Sequence, residues 1–397
     1  MNSSPEPKLL SWLSIRKRLP LYLAFAATGF SCALPGALMP WLLARWSLQD
    51  SEVGLLLGLF FVGGTSGALL SRGSLRWSIF RGTLCTSIGA ALLPFASGRT
   101  ANGAILLFGL GLGITMTSIS LLQSRRWTET RPAEMTRLNL LWAIGACTAP
   151  WIILHEGIRN TANAKNVLLL LASAFAAFGV WVAAFERDEP RPTPSQAAAG
   201  SLKLAGFAAP LSLLVLVLCA TGVEASSAGW LATYSQRSGD SLRITIGAPT
   251  CFWIGLLTSR LVHSSAAIGR ATKRFLLTWN LLAMATALAA LILFRNGPVL
   301  LSAAFAIGFA AGPIYPLLLA LVFEHDSGNT VYVIGGIGSA LLPLLTGTVS
   351  SRTGSLRMGI AVPCAAAMIM AITGWSVMRM REPALRENVS GDSSSTA

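Results

Sequence analysis

Twelve stretches of this sequence are apolar over roughly the 20 residues that a helix needs to cross a hydrocarbon core about 30 Å thick. They run approximately 21–44, 53–71, 81–97, 103–123, 136–155, 166–185, 208–234, 244–262, 275–294, 298–323, 330–350 and 358–378. In hydrocarbon no water can satisfy a backbone N–H or C=O, so each stretch must close its own hydrogen bonds as a helix. The expected fold is therefore an all-α membrane protein with twelve transmembrane helices. Composition agrees: 53% of the residues are hydrophobic and 12% charged, where a soluble domain has about 25% charged. That excludes most soluble enzymes and any disordered reading. The first stretch is long and interrupted by Gly and Pro, so it reads as a retained span rather than a signal peptide.

The net charge of +14 raises the question of nucleic acid, which requires basic residues gathered on one face. Here they are spread in small groups between apolar runs, so no nucleic-acid partner is expected. The groups are rich in alternate segments: Lys8, Arg16, Lys17 and Arg18 before the first span, Arg125, Arg126, Arg131 and Arg137 after the fourth, Arg260, Arg270, Lys273 and Arg274 after the eighth. Intervening segments hold ones and twos, such as Arg45 and Arg99. The positive-inside rule then puts both termini in the cytoplasm and the chain in the plasma (inner) membrane, with the lipid bilayer as its environment. One place disagrees, since the loop after the tenth span has no Lys or Arg and the loop after the eleventh has Arg352 and Arg357. Six cysteines lie in apolar stretches without paired spacing, and His155, His263 and His325 fall at span ends. Neither disulfides, a metal nor a cofactor is indicated.

Residues 186–207 form the longest polar interruption and read as a cytoplasmic linker. They separate a six-helix bundle at 21–185 from a second at 208–380, with a cytoplasmic segment at 1–20 and a disordered tail at 381–397. The bundles repeat each other. Gly67-Ala-Leu-Leu-Ser71-Arg72 closes the second span and Gly255-Leu-Leu-Thr-Ser259-Arg260 the eighth. Gly109 and Gly113 in the fourth match Gly308 and Gly312 in the tenth; Ile-Gly145 with Pro150 in the fifth matches Ile-Gly338 with Pro343 in the eleventh. Three matches in one order mark a pseudo-symmetric pair of bundles.

Over nearly its whole length this pattern resembles the major facilitator superfamily. Gly67 to Arg81 looks like a degenerate form of its loop motif between spans two and three, without the usual acid. The second half is similar to the fucose:proton symporter and sodium–glucose transporter-like branch. The residues carrying this are Gly222-Val-Glu224 with Trp230 and Tyr234, Gly312-Pro313-Ile-Tyr315-Pro316, and Gly335-Gly336-Ile-Gly338-Ser339 with Pro343. The resemblance implies a secondary transporter, expected to be a monomer, with spans one, four, seven and ten lining its cavity.

Glu224 is the one acid placed well inside a span. A charge at that depth costs about 2.5–3.5 kcal/mol on insertion scales, so function is its default reading. Desolvation favours the neutral acid in a closed state and entering water favours the carboxylate, as a proton carrier or a hydroxyl-binding acceptor requires. The bland alternative is a structural hydrogen bond between helices. Thr221 and Ser227 share its face, and Trp230 and Tyr234 adjoin it, suiting a sugar-like ligand or, equally, an interfacial aromatic belt. With the apolar run taken as 208–234, Glu224 falls somewhat beyond the midplane toward the outside. Thr117 in the fourth span and Tyr315, between Pro313 and Pro316 in the tenth, complete the expected substrate or coupling-ion site. Arg72, Arg260, Gln123 and Asn139 are expected at a cytoplasmic gate, the arginines pairing with acids such as Glu134 or Glu324. The first and fourth spans lack the carboxylates that proton-coupled sugar symporters of the resembled branch carry, so coupling would fall on Glu224, on sodium, or on nothing.

The leading expectation is a secondary active transporter of a small solute, a sugar or related polyol, working by alternating access with a proton or sodium. Export of amphipathic drugs or metabolites is the alternative within transport. A transporter-like sensor or partner-binding protein is the alternative from another class. An enzyme is not expected, because one acid without a base or metal is a poor active site. Cysteines placed at positions 72 and 260 should resist membrane-impermeant thiol reagent added to intact cells; labelling at either would invert the topology.

Overall fold

The structure, a computed structural model, describes residues 6–159, 161–187, 211–238, 241–264, 270–294, 296–323 and 330–380. The twelve expected helices are present: α1 (Glu6–Trp46), α2 (Asp50–Leu70), α3 (Leu75–Leu92), α4 (Arg99–Arg126), α5 (Arg131–Arg159), α6 (Thr161–Phe185), α7 (Leu211–Arg237), α8 (Leu242–Ser264), α9 (Arg270–Leu293), α10 (Gly297–Phe323), α11 (Thr330–Thr353) and α12 (Leu356–Met380). Ten are long and apolar enough to cross a membrane. The other two, α3 and α8, carry Arg76 and Arg81, and Arg243 and Arg260, within their lengths. Several helices overrun their apolar stretches, α1 back to Glu6 and α5 forward to Arg159. Helical hydrogen bonds continue where hydropathy has already fallen. From residue 188 the linker lies outside the described residues, as do Glu324 and the tail at 381–397.

The chain divides into two compact units. One comprises Met1–Ser47 with Leu59–Pro192, the other Leu48–Gly58 with Thr193–Ala397. Within the first, α1 packs along α5, and α3 packs on both α4 and α6. Within the second, α7 packs along α11, α8 along α10, and α9 on both α10 and α12. Three pairings correspond helix for helix, α1–α5 with α7–α11, α3–α4 with α9–α10 and α3–α6 with α9–α12, as a repeat requires.

The sequence matches turn out to be the points where helices cross. A Cβ built on Gly145 would lie 1.9 Å from Ala26 O of α1, and one on Gly338 would lie 2.0 Å from Leu218 O of α7. At the other crossing, Gly109 would meet Phe60 O at 2.1 Å, and Gly308 would meet Phe252 O at 1.9 Å. Only hydrogen fits at such backbone contacts, which is how small residues let membrane helices approach.

Helix termini are secured locally. Ser74 caps α3 by accepting the Trp77 N–H at 3.3 Å, and Glu52 reaches back to the Gln49 N–H at 2.8 Å before α2. In the second unit Asp50 receives two N–H groups of Arg237, each at 2.7 Å, and the Ser350 hydroxyl at 2.5 Å. The Ser51 N–H donates to Ser351 Oγ at 2.7 Å. These contacts place the first turns of α2 against the ends of α7 and α11.

Replacing Gly308 by Leu should destabilise the protein by about 1–3 kcal/mol through overpacking, read as a lower thermal midpoint in detergent. Gly103 has nothing within 4 Å of a built Cβ, so Gly103→Ala should instead be neutral or stabilising by about 0.5–1 kcal/mol.

Candidate functional site around Glu224

Glu224 lies midway along α7, equally far from Leu211 and Arg237. The sequence places it somewhat beyond the midplane of an apolar run taken as 208–234, of which residues 208–210 lie outside the described residues. The side chain is half-buried rather than enclosed. Arg260 of α8 lies in its electrostatic range, and so does Tyr315 of α10; Tyr332 of α11 in turn faces Tyr315. Glu224 is therefore not a solitary intramembrane charge. Arg260, whose place at a span end suggested a gate or an anchor paired with Glu324, lies inside α8 four residues before its end and is half-buried. Its basic type alone gave no sign of a partner on another helix.

Helix crossings hold these groups in place. Thr221 Oγ1 donates to Gly335 O of α11 at 2.7 Å and to Val217 O of its own helix at 3.0 Å. Ser339 Oγ returns a bond to Thr221 O at 3.4 Å. Beside Arg260, Ser259 Oγ would lie 2.6 Å from a Cβ on Gly312, three residues ahead of Tyr315. Thr221 thus serves the α7–α11 crossing, one turn before Glu224. Ser227, one turn after Glu224, is buried and its hydroxyl has no hydrogen-bond partner.

The aromatic face was misread. Trp230 is 0% exposed and its Nε1–H donates to Pro343 O at 3.1 Å. Tyr234 is buried, and its hydroxyl donates to Leu291 O at 2.7 Å. An indole N–H needs an acceptor when buried, and the Pro343 carbonyl of α11 supplies it. Packed in this way, the two rings meet neither lipid nor an open space, so neither the belt nor the stacking reading describes them.

The remaining expected residues belong to the first unit. Thr117 is half-buried on α4, whereas its neighbour Thr115 is tied to Gly111 O at 2.8 Å. Gln123 is fully buried; its Oε1 accepts the Trp127 Nε1–H at 3.0 Å and its amide nitrogen has no partner. Arg72 and Asn139 are exposed. Glu134, suggested as a partner for Arg72, is instead taken by Arg137 at 2.6 Å and by the Tyr22 hydroxyl. Arg126 pairs with Glu186 at 2.9 Å. The Asp50, Arg237 and Ser350 cluster was not foreseen, since each residue looks like an ordinary helix end.

Comparison with known proteins places the chain. A family model described as Major Facilitator Superfamily matches residues 21–330. The chain belongs to the major facilitator superfamily, a family of membrane transporters of small solutes. Its fold is shared with a mutant of the nucleoside transporter NupG, with a TM-score of 0.72, 13% identity, and coverage of 92% of this chain and 100% of that one. A bacterial homologue of the human lysosomal transporter Spinster, in an inward-facing and occupied conformation, gives a TM-score of 0.67 and 14% identity, covering 95% and 98%. A search of curated proteins gives no match.

Trp230→Phe should cost about 1 kcal/mol for the lost hydrogen bond and lower the thermal midpoint while leaving substrate KM unchanged. A raised KM at unchanged stability would return Trp230 to the site.

Proposed function

We propose that this chain is a secondary active transporter that moves a small polar solute across the plasma membrane by alternating access, with Glu224 binding the substrate or coupling its movement to an ion. The observation that carries this is the half-buried position of Glu224 at the middle of α7, facing Arg260 and Tyr315. Charges in the middle of a bilayer are expensive and mark substrate or ion pathways. A purely structural Glu would be enclosed and hydrogen-bonded across a crossing, as Trp230 and Tyr234 are.

The resemblance of residues 222–234, 312–316 and 335–343 to the fucose:proton branch supports a sugar or polyol among the candidate solutes, with proton or sodium as the coupling ion. With Trp230 packed away, stacking on a sugar ring would fall to Tyr315, and hydrogen bonding to Glu224 and to the free hydroxyl of Ser227. Thr117 and the unpaired amide of Gln123 are further polar groups for substrate or gate, with Arg72 and Asn139 at the cytoplasmic side. Both termini are assigned to the cytoplasm on the Lys and Arg distribution, and the transporter is taken to work as a monomer.

Glu224→Gln keeps the size and hydrogen-bonding shape of the side chain but cannot take up or release a proton. In proteoliposomes with an imposed proton or sodium gradient, the variant should insert normally and equilibrate substrate without concentrating it. Concentrative uptake at the wild-type rate across the pH range would make Glu224 structural.

A further inference from the structure

Helix α2 is unbroken from Asp50 to Leu70, yet its two halves are gripped by different partners. Residues up to Gly58 belong to the second unit and those from Leu59 onward to the first. On the first half the neighbour is α11. A Cβ built on Gly347 would lie 2.2 Å from Asp50 O, one on Gly54 2.9 Å from Pro343 O, and one on Gly58 3.1 Å from Ala340 O. On the second half the neighbour is α4, where Gly63 would meet Leu106 O at 2.3 Å and Gly67 would meet Leu110 O at 2.1 Å. The change of partner is abrupt, since Phe60 O already faces Gly109 of α4.

The first half is fastened at its tip. The Asp50 carboxylate, 10% exposed, accepts both N–H bonds of Arg237, itself 43% exposed, together with the Ser350 hydroxyl. Behind the tip, residues 53–58 are Val, Gly and Leu alone. The face turned to α11 repeats every four residues as Asp50, Gly54 and Gly58. Beside it Leu57, 1% exposed, covers α7 at Gly229, where a built Cβ would lie 2.8 Å from Leu57 Cδ1. Trp230 sits in the same seam, with Cζ2 3.0 Å from a Cβ on Gly347.

Helices α7 and α11 are joined differently. Thr221 donates to Gly335 O, the hydroxyls of Ser226 and Thr346 are 3.2 Å apart, and Trp230 donates to Pro343 O. Parting these two helices would strip buried polar groups of their partners, which is costly. Parting α2 from them leaves residues 53–58 with no polar side chain to satisfy. Its ion pair stands at a partly exposed helix end, where hydration replaces the lost contact at small cost.

We propose that residues 50–58 are a strap closing the outer end of the second unit, with the Asp50–Arg237–Ser350 cluster as its release point. The outer side is the one assigned by the Lys and Arg distribution. The α7–α11 pair is the fixed seat of the strap. With the cluster intact, Gly229 and Trp230 are shut off from outer solution. When the ion pair parts, Asp50 and Arg237 are hydrated separately and residues 50–58 lift from α7 and α11, while the helix from Phe60 onward stays on α4. Water then reaches α7 at Gly229, five residues beyond Glu224. The strap goes beyond the reading of Glu224 and does not depend on it.

The test is thiol labelling of the purified full chain in nanodiscs by a charged maleimide, with no solute added. Leu57→Cys reports from beneath the strap. Val217→Cys, at a fully buried position on α7 away from the strap, reports general loosening. Modification is read at each position by peptide mass, which separates it from the native cysteines. With the cluster intact, both positions should label slowly. Asp50→Asn or Arg237→Gln should speed labelling at position 57 about fivefold, the population change expected from one partly exposed ion pair. Position 217 should not respond. In the double variant the two effects should not multiply, because the residues are halves of one fastening. Ser350→Ala and Arg237→Lys keep both charges and should speed position 57 by about two- to threefold; they decide the matter if a charge-removing variant fails to fold. Fast labelling at position 57 with the cluster intact overturns the strap, as does a rate there that no variant changes. Equal acceleration at positions 57 and 217 makes the cluster a general support of the fold and overturns it too. Effects that multiply in the double variant separate Asp50 from Arg237 and remove the release point. Because the readout needs no substrate, a structural Glu224 would leave this result unaffected.

Discussion

Lipid is as apolar as leucine, so helices in a bilayer gain little by burying apolar side chains against one another. What holds them is close backbone approach and the few polar bonds it permits. In this chain the approach is made at glycines. Gly145 of α5 against α1, Gly338 of α11 against α7, Gly109 of α4 against α2 and Gly308 of α10 against α8 each admit a neighbouring carbonyl to a distance that no side chain would allow. The repeat in the sequence is a repeat of these contacts. Gly109 and Gly308 could drift to any small residue in a loose bundle, but here a Cβ would force the helices apart.

Polar side chains within the helices then divide by what they touch. Thr221, Trp230 and Tyr234 each spend their donor on a carbonyl of another helix, and so add to the crossings. Glu224 on α7 and Arg260 on α8 are half-buried and within electrostatic range of one another. A charge at that depth is costly when it has no opposite charge in range.

Much of the site was hidden in the sequence for a physical reason. Glu224 stood out because an acid in an apolar run is rare. Arg260 did not, because basic residues at span ends are explained by membrane orientation, and hydropathy ends before the helix does. Trp230 looked like a ligand surface because an aromatic beside hydroxyls suits a sugar. Its role depends on a carbonyl of α11, more than a hundred residues away, being presented to its indole N–H. The Asp50–Arg237 pair was invisible for the same reason, since its members belong to different halves of the sequence.

The sequence by itself determined the twelve helices, the internal repeat and the presence of one acid in the middle of a span, because hydrophobic length and glycine spacing are properties of a single segment and the bilayer leaves the backbone no alternative to helix. Only the tertiary structure decided which polar groups meet. Bringing Glu224 within electrostatic range of Arg260 and Tyr315, enclosing Trp230, and setting Asp50 against Arg237 and Ser350 all depend on how helices are rotated and shifted at their crossings. That rotation is fixed by backbone-to-backbone contacts between distant segments, which no local pattern encodes.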